Sequence, residues 1–230
     1  FLKEFTERKE FIEKTITEQG KMTEVLQDKI DKALTIAALE DIYLPYKPKR
    51  KTKAQTAKEN GLEPLANLLL EQKDMDLVGE AGQFINENVK DTDAALQGAR
   101  DIIAEMVNED ATVRAKMRKL FETQATMQSK VNADKETEAV KYKDYFDFSE
   151  PIYKAPSHRI LAVLRGFLEG YLRLAIAPEE EKALEIVEEL YVKGISSSSH
   201  HLRKAIKDAY RRLLQPSLET EFRTALKAKA

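Results

Sequence analysis

The chain has 230 residues, 42% of them hydrophobic, which suffices to bury a core in one large domain or two small ones and excludes a disordered tail. Charged residues make up 34%, yet the net charge is only -2, so charges are interspersed on solvated faces and any nucleic-acid contact is a local patch. Cysteine is absent and histidine occurs three times, which excludes disulfides, thiolate metal sites and a cysteine nucleophile, and argues against histidine metal sites. No apolar run approaches the roughly 20 residues that cross a bilayer, and no signal peptide is recognisable, so a cytoplasmic location without membrane contact is expected. The chain opens at Phe1 and is still in helical pattern at Ala230, so a piece of a longer protein is expected.

Leu2, Phe5, Ile12 and Ile16 recur at helical spacing up to Gly20, which suits a left-handed stop. Thr23 offers an N-cap for a second helix with Leu26, Ile30 and Leu34 on one face. A third runs from about Ile36 towards Tyr43, where Pro45 and Pro48 withhold the amide protons needed to continue. Thr52 to Asn60, stopped by Gly61, and Glu63 to Gln72, with Leu65, Leu68 and Leu69 inward, read as short helices; less regular sequence follows. Helical pattern returns from Thr92 to Gln124 as two stripes, Ala95, Leu96, Ala99, Ile102, Ile103 and Met106, then Val113, Met117, Leu120 and Phe121, parted at Asn108-Glu-Asp110.

Beyond Gln124 the character changes. Ala125 to Asn132 tolerates strand, Tyr142 to Tyr153 is unusually aromatic, and Tyr171 to Ala177 alternates with a strand's period. Glu179 to Val192, Ser198 to Leu214 and Ser217 to Ala230 restore helix, with the serines at 196 to 199 as N-caps and Pro216 as punctuation. The predicted fold is mostly α: a helical bundle over 1–124, then a helical region over 125–230 with a two-stranded β element and a helix-turn-helix-like unit.

Two features could meet nucleic acid. Lys47, Lys49, Arg50, Lys51 and Lys53 fall within seven residues beside Tyr43 and Tyr46, a composition suited to phosphate contacts and base stacking. It equally suits a proline-extended loop docked on acidic surface of its own protein. In the second, Arg203, Lys204, Lys207 and Arg211 lie off the apolar stripe Leu202, Ala205, Ile206, Ala209 and Leu213, on a helix that follows another after a turn at Gly194. That outline fits groove recognition by a helix-turn-helix, and also an ordinary wet helix face.

Constellations for chemistry are missing. His200 and His201, adjacent on a helix, point about 100° apart and cannot chelate as an i, i+4 pair, and His158 has no second ligand nearby. Carboxylates such as Glu179 to Glu181 and Glu188-Glu189 sit in runs typical of exposed helix. With neither a phosphate-binding glycine loop nor a nucleophile elbow, no enzyme activity and no cofactor are expected.

Three segments are less generic. Leu39-Glu-Asp-Ile-Tyr-Leu-Pro-Tyr-Lys-Pro-Lys-Arg-Lys-Thr-Lys53 with Ala57-Lys-Glu-Asn-Gly-Leu-Glu-Pro-Leu-Ala66, then Ser157-His-Arg-Ile-Leu-Ala-Val-Leu-Arg-Gly166 with Glu169-Gly170, then Ala209-Tyr-Arg-Arg-Leu-Leu-Gln-Pro-Ser-Leu-Glu219, appear in that order. Together they resemble the N-terminal helical region of the bacterial Tex-like transcription accessory proteins. The resemblance implies a cytoplasmic nucleic-acid-binding protein of bacterial type, related to a eukaryotic elongation factor. Its further domains, a ribonuclease-H-like one, helix-hairpin-helix motifs and an OB-fold that carries much of the affinity for RNA or DNA, would lie outside these residues. RNA polymerase is a further candidate partner. In this setting His158, Arg159, Arg165 and Gly166 form a structural signature, the two arginines serving as ion-pair anchors or as phosphate contacts.

Overall fold

In the computed structural model, which describes residues 1 to 230, α1 (Leu2–Glu18), α2 (Glu24–Lys32) and α3 (Ile36–Tyr43) begin and end where local chemistry dictates. Gly20 takes a left-handed φ of 71° after α1, and Thr23 accepts the Leu26 amide at 3.1 Å to start α2. Ile12, Ile16, Leu26, Ile30, Leu39 and Tyr43 pack into one core. Leu34 does not join it. Ala33 is extended, which ends α2 at Lys32 so that Thr35 can cap α3 through the Ala38 amide at 3.1 Å; Leu34 is left 83% exposed.

The next group is α4 (Lys53–Glu59), α5 (Glu63–Glu71), α6 (Leu77–Gly82) and α7 (Thr92–Glu109), with the last packed against the other three. Gly98 permits close approach to α7: an added Cβ would run into the Leu62 side chain. α6 falls in the stretch read as irregular, because a short helix with Gly79 and Gly82 has no periodicity to show; its start is held by Asp76, which accepts the Gly79 amide at 3.2 Å. Val107 rather than Met106 completes the buried stripe of α7. Asp110 then accepts the Thr112 and Val113 amides at 2.8 and 3.2 Å, opening α8 (Ala111–Gln124).

Two compact units result, Phe1–Ala115 and Lys116–Ala230, and the division falls within α8, ahead of the expected boundary after 124. The second unit contains β1 (Thr126–Val131), β2 (Asp147–Pro151) and β3 (Leu172–Ala177), antiparallel in the order β2-β1-β3, with Met127 opposite both Glu150 and Ile176. The sheet therefore has one strand more than expected. β2 reads Asp-Phe-Ser-Glu-Pro and is nowhere fully buried, so ladder pairing with β1 defines it rather than an apolar period. α9 (Ser157–Leu168) lays Ile160, Val163 and Leu164 against Met127 and Ile176 in the core.

α10 (Glu180–Tyr191) is followed by α11 (Ser197–Ala209), and helix then continues through a π turn, Tyr210–Leu214, into α12 (Gln215–Lys229). Pro216 does not break the helix as its type suggests. The Gln215 amide bonds Tyr210 O, five residues back, and this wider turn relieves the clash and missing donor that a proline brings to a regular turn. The extra residue also shifts the apolar face. Where an α-helix would turn Leu213 inward, Leu214 is buried instead.

Candidate nucleic-acid interface

After α3 the chain makes a 3-10 turn, Leu44–Tyr46, and turns extended at Lys47, whose amide still bonds Tyr43 O at 3.0 Å. Thr52 closes the loop by capping α4 through the Gln55 amide at 3.1 Å. The four cations in between, and Lys53 at the first position of α4, differ in what they face. Lys49 pairs with Glu105 at 3.5 Å and also with Glu109, one turn further along α7. Lys51 pairs with Glu59 at 2.8 Å. Lys47, Arg50 and Lys53 are exposed and make no ion pair. Tyr43 is unavailable for stacking on a base, being 3% exposed, edge-on to the Phe11 ring and covered by the Arg8 guanidinium at 5.4 Å.

On α11, Lys204 and Lys207 are exposed without ion-pair partners. Arg203 reaches Gly194 O at 3.4 Å. Arg211, in the π turn, grips Glu180 of α10 with both carboxylate oxygens engaged, one at 2.8 Å, and its hydrogen bond holds the Glu180 carboxyl below the ordinary range. Two of the four serines are engaged in capping: Ser196 accepts the Ser199 amide at 3.1 Å, and Ser199 donates to Lys193 O at 2.7 Å, whereas Ser198 Oγ is buried without a hydrogen-bond partner.

The segments that carry the family resemblance are held from within. Asp41 is buried with Arg114, Nε to Oδ1 at 3.2 Å, and Arg114 also donates to Asn108 O and Oδ1 at 3.2 and 3.1 Å. The sequence contains no sign of this pair, since its members are far apart along the chain. Arg159 Nη1 donates to both Glu150 oxygens at 2.7 and 2.8 Å, joining α9 to β2, whereas Arg165 is exposed without an ion pair. His158 is exposed in the first turn of α9. Gly166 lets α9 approach β3, because an added Cβ would lie 2.5 Å from Leu172 Cδ1 and 3.1 Å from Tyr142 Cδ1. Glu169 bonds Lys141 and the Tyr142 hydroxyl, each at 2.8 Å, and these bonds, the lysine's first, hold its carboxyl below the ordinary range.

No group of three or more His, Asp or Glu side chains is placed to hold a metal ion, and no helix is long and apolar enough to cross a membrane. Fold and site together define an α-helical scaffold that displays unpaired cations on a proline-held loop and on one helix face. The family model described as Tex central region-like matches residues 72–230. Over 236 residues and the whole of this chain, the transcriptional accessory protein Tex of Neisseria gonorrhoeae is 42% identical; protein tex of Bordetella pertussis is 44% identical over 80% of the chain. The S1 RNA-binding domain-containing protein 1 of Homo sapiens is 30% identical over 94% of the chain. The chain belongs to the Tex-like transcription accessory family, and it spans 31%, 24% and 23% of the length of these relatives respectively.

Proposed function

We propose that this chain is the helical scaffold of a cytoplasmic Tex-like transcription accessory protein and makes auxiliary, salt-sensitive contacts to RNA or DNA, with no catalysis of its own. The reading is carried by three cations without ion pairs, Lys47 and Arg50 on the extended loop and Lys53 at the first position of α4. Lys204 and Lys207 add a second, weaker contact from the helix-turn-helix-like unit of α10 and α11. The names of two relatives, a transcriptional accessory protein and an S1 RNA-binding domain protein, support the same direction. Cations in this number release few counterions, so binding is weak and falls with salt. Fluorescence anisotropy with labelled RNA and DNA at several salt concentrations tests it: reversing Lys47, Arg50 and Lys53 to Glu should remove most of the binding. Binding indifferent to salt, or to those reversals, would take the loop out of the function.

A second reading is a protein-docking scaffold for RNA polymerase or for other parts of the same protein. It is favoured by Phe1, Leu2 and Phe11, which leave 73%, 78% and 50% of their surface exposed along α1 and its start. Pull-down with purified polymerase, compared between the parent and Leu2→Glu with Phe11→Glu, separates the two readings.

A further inference from the structure

Beside the basic loop, α4, α7 and the Asn88-Val89 segment enclose an open groove of about 670 Å³, within the size range of small-ligand sites. Its floor is apolar, supplied by Ala57, Leu62 and Val89. Its rim carries unused hydrogen-bonding capacity. Asn60 engages only backbone groups, its amide donating to Thr56 O and its carbonyl accepting from Asn86 Nδ2, each at 3.0 Å, and so does Asn88, its amide donating to Asn86 Oδ1 at 2.9 Å. Both side-chain amides lack protein partners, as does the Lys53 ammonium on the same rim. Gln97, a further member of the lining, is instead engaged at both ends, its Nε2 donating to Asp101 Oδ1 at 2.9 Å and its Oε1 accepting from Arg100 at 2.8 Å.

An exposed asparagine bonded only to water is ordinary. Two unpartnered asparagine amides lining one groove with a free cation and an apolar floor match the parts of a nucleotide: a flat apolar face, an edge of mixed donors and acceptors, and an anion. We infer that this groove seats one nucleotide of a single-stranded nucleic acid, its base on the floor, its edge against the Asn60 and Asn88 amides, and its phosphate at Lys53. Carboxamides both donate and accept, which is what reading a base edge requires. A duplex keeps its bases stacked and cannot deliver one to such a groove, whereas a single strand can splay one out. Lys51, also on the rim, exchanges Glu59 for the strand's next phosphate. This rests on the reading that the loop meets nucleic acid, and specifies the form of strand and its contacts.

The test uses the 230-residue chain and labelled strands of about twelve nucleotides: single-stranded RNA, the same sequence in DNA, and the RNA duplex. Asn88→Ala and Thr56→Tyr leave charge unchanged; Thr56 is exposed on α4 and lines the groove, so the tyrosine fills it. Either single strand should bind tighter than the duplex. Asn88→Ala should weaken it about fivefold, the worth of one hydrogen bond, and Thr56→Tyr about tenfold or more, both with the salt slope unaltered. Lys53→Gln should lower that slope by about 0.7, one single-strand phosphate, while Lys21→Gln, an exposed cation elsewhere, should not.

Parent-like binding by Asn88→Ala and Thr56→Tyr, with Lys53→Gln still weakened, overturns the groove and leaves the loop as a sequence-blind patch. Tighter binding of duplex than of either strand also overturns it. Absence of binding by the parent at every salt concentration defeats the loop reading itself. Should Thr56→Tyr fail to fold, the side-chain amide NMR signals of Asn60 and Asn88 decide: they shift on adding single strand, and signals unmoved at saturation refute the site.

Discussion

Phe1–Ala115 holds 17 Lys and Arg against 23 Asp and Glu, whereas Lys116–Ala230 holds 21 against 17. The densest cation run of the chain thus lies on its acidic unit, and that unit neutralises part of it: Lys49 is taken by Glu105 and Glu109, Lys51 by Glu59. On the basic unit the arginines around α11 are likewise engaged, Arg211 with Glu180 and Arg212 with Asp208 at 2.9 Å, while Lys204 and Lys207 stay free. Cation density along a sequence therefore overstates the charge available to a phosphate. In both units, too, ion pairs join separate elements, Asp41 of α3 with Arg114 of α8 and Arg159 of α9 with Glu150 of β2.

The sharpest contrast between the units is in how such pairs are buried. Asp41 and Arg114 keep only 7% of each side chain exposed, against 57% for Arg211 and 36% for Glu180. Removing one member of a buried pair strands the other charge in a poor solvent, so Asp41→Ala should lose about 3–5 kcal/mol in denaturant unfolding. Arg211→Ala, in a solvated pair, should lose under about 1 kcal/mol. Equal losses would mean that the signature around Asp41 is not what locks the first unit.

The π turn supplies a second contrast, inside one helix. Leu214→Ala should cost about 2–5 kcal/mol, as a fully buried leucine does, and Leu213→Ala clearly less. The reverse order would restore the regular helical register and with it the expected break at Pro216.

Tyr210 opens that turn with its hydroxyl buried and without a protein partner, and burial first, then Glu180 and Glu219, pushes its pKa up to about 12. The folded state thus keeps its proton where the unfolded chain, with an ordinary value near 10, gives it up. Stability from this group is complete below pH 10 and is lost as pH rises towards 12, on the order of 2 kcal/mol in all. Tyr210→Phe should remove that alkaline loss without a penalty at neutral pH. Parallel curves of stability against pH for parent and variant would count against the burial.

The features legible in the sequence were those whose cause is local. Thr23 and Ser196 cap helices, Gly20 and Gly61 end them, and Thr126–Val131 and Leu172–Ala177 are strands by composition or alternation. β2, α6 and the π turn were not, because each depends on a partner strand, a packing surface or an extra residue that leaves no periodic trace. The same division runs through the site. All five cations are visible in the sequence, but which of them is free depends on Glu59, Glu105 and Glu109, and Asn60 and Asn88 line one groove only when α4 and α7 come together.

If the acidic unit holds Lys49 back, then Glu105→Gln with Glu109→Gln releases it without touching the loop. Binding of single-stranded RNA should then tighten a fewfold at low salt, and the salt slope should steepen by about 0.7 as one more phosphate is met. Arg50→Gln, which removes a cation already free, should make the slope shallower by the same amount. The two changes have opposite signs because α7 competes with the ligand for one cation and not for the other. If freeing Lys49 leaves affinity and slope unaltered, that lysine is a structural clamp between loop and α7 and drops out of the interface.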